Sequence, residues 1–188
     1  MTLKVVTFGD WRKAAAVLAT YPDYIKRAVP KAIRLEAEFM VGEIKRNIQA
    51  GPPPPLAALT AKRRKGGKGG SKPLNASGDL LGAVTVVQRS QAYTAFVGVP
   101  RASGKYNIAV THEQGRTIVL NMTEKMRRFL FGVLFKGEPA KPGSGTGIIT
   151  IRIPARPFVR PAFEANAAGA AARFEANLAA LLGGAAKR

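Results

Sequence analysis

The chain predicts an α+β fold in which a long N-terminal helix and a C-terminal helix pack on an antiparallel or mixed sheet of about four strands, with a long basic loop between. Three observations carry that expectation. Residues 25–48 repeat apolar side chains three or four apart, residues 83–99 and 148–153 alternate with period two, and residues 162–182 form an Ala-rich helical stretch after a proline. Helices, a run of strands, a helix, a strand and a helix is not a βαβ order, and no internal repeat is visible.

Asp10 can cap a short helix over 11–20, which Pro22 would stop. Ile25, Val29, Ile33, Ala37, Met40, Ile44 and Ile48 then mark one face of the main helix, with Leu35 and Phe39 widening the stripe. Pro30 should kink this rod or open it, so 31–49 is its expected body, ended by Gly51 and Pro52 to Pro55. Residues 51–72 predict a flexible Pro-rich and then basic loop. Lys62, Arg63, Arg64, Lys65, Lys68 and Lys72 lie in it without an acid, and 62–72 lacks any apolar side chain. Residues 83–89 and 93–99 read as a β-hairpin, with further strands expected at 107–111 and 117–120. Thr123 can cap a helix to about 135, and the β-branched run Ile148 to Ile153 is the clearest strand. Pro161 suits a first helical turn, so the last helix runs 162–182 and leaves a short tail at 183–188.

The 188 residues fit a single domain, 1–188, able to bury a core without disulfides. Thirty Lys and Arg against eleven Asp and Glu give a net charge of +19, which a compact chain bears more easily beside a polyanion or an acidic protein face. The absence of cysteine excludes thiolate zinc sites and a Cys nucleophile, and a single histidine excludes a multi-His metal centre within one chain. No secretory signal is visible at the N-terminus, and Glu164, Arg173 and Glu175 interrupt the apolar C-terminal stretch well short of the ~20 residues that a membrane span needs. A cytoplasmically made protein with no membrane partner is expected.

Apparent catalytic and cofactor motifs fail on spacing. Gly98 to Lys105 has five residues between its glycines and Tyr106 after the lysine, where a phosphate loop needs four and Ser or Thr. Gly143 to Gly147 precedes a strand, where a dinucleotide fingerprint follows one. His112 and Glu113, adjacent on the extended chain that follows the strand expected at 107–111, would point to opposite faces. Glu36 and Glu38 do not share a helix face. No cofactor and no catalytic constellation is expected. The basic loop can contact DNA without reading sequence through counterion release, but it lacks the aromatic platforms that single strands use.

Three segments are more distinctive: Pro73-Leu-Asn-Ala-Ser-Gly-Asp-Leu-Leu81, Ala109-Val-Thr-His-Glu-Gln-Gly115 and Ile153-Pro-Ala-Arg-Pro-Phe158. With the long N-terminal helix and Pro55 to Thr60, they resemble the tailed-phage virion-morphogenesis, or tail-completion, family over nearly the whole chain. Ile108 stands where many members of that family carry an aromatic, and the Lys/Gly loop and Ala-rich tail are enlarged. The resemblance implies a non-enzymatic virion protein of the neck or head-proximal tail end. It would form a homo-oligomeric ring, meet connector or tail-tube proteins, and join the tail to a DNA-filled head. It also singles out Glu113, Gly115, Arg156 and Phe158 as assembly or structural anchors. Pro154, Pro157 and Pro161 force the chain out of the sheet there, so Phe158 needs a pocket in this subunit or its neighbour. Arg156 suits a carboxylate or a cluster of carbonyls. The competing class is a basic, nucleoid-type nucleic-acid-binding protein.

Overall fold

A computed structural model describes residues 11–65, 72–89, 93–128 and 147–185. Helix α1 spans Trp11–Ala50, α2 Ala58–Lys65 and α3 Asp79–Ala83; strands β1 (Thr85–Arg89) and β2 (Thr94–Gly98) follow. Helix α4 covers Tyr106–Gln114, β3 Arg116–Asn121, β4 Ile148–Ile153, and the last helix, α5, Arg160–Ala185. The architecture is α+β, and its described strands form two separate two-stranded antiparallel ladders, β1–β2 and β3–β4, rather than one sheet.

Helix α1 is one rod of 40 residues, about 60 Å long. Both Pro22 and Pro30 lie inside it, against the expected break into two helices. Each proline removes one amide donor, but the bonds on either side persist, and the Pro30 carbonyl is also held by the Gln88 side-chain amide at 2.6 Å. Gly51 ends the rod at φ 77°, where a Cβ would lie 2.9 Å from the Lys72 Cβ; the chain returning at 72–73 passes too close for any side chain.

Two further elements differ from expectation. Residues 58–65, expected as loop, are helical, because Ala, Leu, Lys and Arg are good helix formers whether or not they have an apolar face. Residues 107–111, expected as a strand, lie in α4. The helical period there puts Tyr106, Ala109, Val110 and Glu113 on one side, and burial of Ala109 outweighs the β preference of Ile108, Val110 and Thr111. The helix expected from Thr123 is seen over 124–128, with the Thr123 hydroxyl accepting the Met126 amide; its remainder lies outside the described residues.

The core gathers Met40, Ile44 and Ile48 of α1 with Leu74, Leu80, Val84, Val99, Ala109, Phe158 and Ala162. Helices α1 and α5 pack along one another, and the β1–β2 hairpin lies on α1 through Val86, Ala95 and Val97. Arg173 of α5 forks onto Glu36 of α1, with Nη2 at 2.6 Å from Oε1 and Nε at 3.1 Å from Oε2. The same guanidinium lies 4.3 Å from the Phe39 ring centroid and donates to the Asn166 carbonyl. Among the described residues no helix is long and apolar enough to cross a membrane.

Candidate functional site

The His112-to-Gly115 and Ile153-to-Phe158 segments meet at one junction, built where α4 ends and α5 begins. Pro161 denies α5 one of its first amides, and the chain just before it has left the ladder. The Glu113 carboxylate takes over the unpaired donors. Oε2 accepts the amides of Phe158 at 2.9 Å and Val159 at 3.1 Å, and Oε1 accepts that of Arg160 at 2.9 Å. A carboxylate here also faces the positive end of α5, so charge and hydrogen bonding act together.

Arg156 is buried, with 7% of its surface exposed. Its Nε donates to the Pro54 carbonyl at 2.7 Å and its Nη2 to the Pro55 carbonyl at 2.9 Å. Of the two partners considered for it, the carbonyl cluster is the one it has. Its backbone amide donates to the His112 carbonyl at 2.6 Å, tying the two segments directly. Gly115 sits between them at φ 75°, where a Cβ would come within 2.9 Å of the Ala155 amide nitrogen. Phe158 is fully buried within this subunit against the α1 core, and Asn47 of α1 holds its carbonyl at 3.1 Å.

The basic cluster divides. Lys62, Arg63, Arg64 and Lys65 lie on α2, Lys68 falls outside the described residues, and Lys72 is exposed. The Arg64 guanidinium donates to the Lys72 carbonyl at 3.2 Å. Arg64 also faces the junction. Burial, then Arg156, then Arg64 push the His112 imidazole below its ordinary pKa, and burial and Arg64 lower that of Arg156. The His112 Nδ1 is buried with no hydrogen-bond partner among the described residues. On α1, Arg27, Lys31 and Lys45 share the outer face and have no partner among the described residues.

Two apolar surfaces are left uncovered by the described residues. A groove of about 460 Å³ runs between α1, β2 and α5, lined by Ile33, Met40, Val97, Phe163 and Phe174. The β3–β4 ladder exposes Val119 (61%), Ile148 (69%), Leu120 and Ile151, and makes extensive contact only between its own two strands. Neither surface could be assigned from sequence, because an alternating strand reads the same whether its apolar side meets a core or solvent. Among the described residues no group of three or more His, Asp or Glu is placed to hold a metal ion. No family model matches the chain, and comparison with curated proteins and with solved structures gives no match.

Proposed function

We propose that the protein is a non-catalytic virion component of a tailed phage, forming a ring in the neck or at the head-proximal tail end that completes the tail and joins it to the DNA-filled head. The observation that carries the reading is the uncovered β3–β4 ladder. Val119 and Ile148 stand on one face of this narrow two-stranded element and Leu120 and Ile151 on the other, so it is apolar and exposed on both sides, which is costly in water and marks a surface that a partner covers. The apolar groove offers a matching surface on a second copy. A protrusion and a groove at different places on one chain give a head-to-tail contact, and such contacts close into rings when the rotation permits. A chain of charge +19 self-associates most readily through surfaces free of net charge: the ladder's Arg residues sit at one end, and the groove's two carboxylates, Glu36 and Glu164, are paired with Arg173 and Arg160.

In this reading the junction of Glu113, Arg156 and Phe158 is a rigid anchor that fixes the ladder's exit relative to α5, and the outer cations of α1 and the basic α2 segment meet DNA or acidic neighbours. Replacing Val119 and Ile148 by Lys should leave the melting temperature near that of the parent and abolish higher-mass species in light scattering. Deleting the gene from its phage should leave filled heads and unjoined tails in micrographs. A normal yield of complete particles would overturn the assignment.

A further inference from the structure

The outer face of the β1–β2 hairpin carries a surface that neither the ring nor the basic cluster accounts for. Val87 and Phe96 are register partners, and both point away from α1, 44% and 49% exposed. Tyr106 and Arg101 flank them on one side and Arg89 and Thr94 on the other, forming a shallow cup of about 630 Å³. The Arg101 guanidinium lies 5.8 Å from the Tyr106 ring centroid. Arg89 has no partner among the described residues, and no carboxylate lines the cup. Asp79, at the start of α3, is held by Lys105 at 2.7 Å.

One exposed ring, Phe96, beside two guanidinium groups that no carboxylate neutralises, Arg101 being engaged only by the uncharged Tyr106 side chain, complements a ligand that is both flat and anionic. A second copy of a +19 chain would bring like charge to these arginines. An acidic protein surface would satisfy the cations but offer no flat partner for the ring. Duplex DNA keeps its bases stacked inside, so it could meet the arginines and leave Phe96 idle. A single strand supplies both, an unstacked base for the ring and phosphates for the guanidinium groups. We propose that this cup binds single-stranded nucleic acid without sequence preference, a base stacking on Phe96 while Arg89 and Arg101 hold the flanking phosphates. The site goes beyond the ring assignment and does not depend on it.

The test is fluorescence anisotropy of the full chain with a labelled oligothymidylate about 16 nucleotides long, the upper site size of such surfaces, and with a duplex of equal length. Phe96→Ala should weaken single-strand binding by about fivefold or more and leave duplex binding unchanged, and Phe96→Trp should restore it. Arg101→Ala should weaken it and lower the slope of log affinity against log salt by about 0.7. Circular dichroism establishes that each variant is folded. The site is overturned if Phe96→Ala and Arg101→Ala bind the single strand as the parent does. Equal loss of single-strand and duplex binding would also overturn it. So would a change of oligomeric mass in Phe96→Ala, which would make the cup a contact between copies.

Discussion

Phe158→Ala tests whether the junction is an internal anchor. The ring is fully buried against Ile44 and Ile48, themselves without exposed surface, in a core whose other members come from α1, α3, α4, α5 and the connecting residues Leu74, Val84 and Val99. Truncation removes a benzyl group from a place that cannot readily collapse: the backbone on either side is held by Glu113 and Asn47, and Pro157 precedes it. The loss should be about 3–5 kcal/mol, the range for a buried Phe. For a chain of this size each kcal/mol moves the melting temperature by ~2–4 °C, so the midpoint should fall by about 6–20 °C. Thermal melts followed by circular dichroism read the first effect, and light scattering below the transition reads assembly. A variant that melts like the parent refutes the internal pocket. One that melts like the parent yet fails to assemble would assign the side chain to a neighbouring subunit.

Substitutions at two residues probe the same junction. Glu113→Ala leaves three backbone donors without their acceptor and should cost about 2–4 kcal/mol in denaturant unfolding, with Glu113→Gln intermediate because its amide keeps one oxygen; equal midpoints for both variants and the parent would show that the carboxylate does not cap α5. Arg156→Lys should cost about 1–3 kcal/mol, since one ammonium cannot reproduce the fork that bridges the Pro54 and Pro55 carbonyls, and unchanged stability would refute that bridging role.

What the sequence disclosed follows from the range of the forces involved. The α1 stripe, the β1–β2 hairpin, β4 and the Pro161 start of α5 are local patterns, and the structure carries each. The errors fall where tertiary partners decide. Pro22 and Pro30 read as breaks because a proline's local cost is certain, while the packing of a long rod against α5 and the hairpin is not visible in a window of residues. Residues 107–111 have strand-like composition, and the features that favour a helix there, the burial of Ala109 and the docking of Glu113 on the amides at the start of α5, involve partners distant in sequence. Glu113, Gly115, Arg156 and Phe158 were legible as special residues, but their mutual contacts span 40 residues or more of chain. The cup at Phe96 was invisible for the same reason: its arginines and rings are scattered from Val87 to Tyr106, and only the hairpin register with the start of α4 brings them to one face.

The same junction makes stability depend on pH in a direction opposite to that of a histidine with an acidic partner. His112 is half-buried between the Arg156 guanidinium, which follows β4, and that of Arg64 on α2, with Glu113 beside it committed to the α5 amides. Burial and the two cations disfavour its protonated form, so the folded pKa lies below the ordinary 6.5 that the unfolded chain retains. Between those two values the unfolded state holds a proton that the folded state refuses. Stability therefore rises with pH across the window and falls as pH drops below 6.5, by at most about 1.4 kcal/mol per pH unit. Replacing His112 by Gln removes this term and leaves every carboxylate in place, so the parent should lose more stability than the variant between neutral and mildly acidic buffer. Arg64→Ala, which deletes one of the two opposing charges, should narrow the difference. Parallel loss in the parent and His112→Gln across that range would show that the imidazole protonates as freely folded as unfolded, and the electrostatic account of the junction would fail with it.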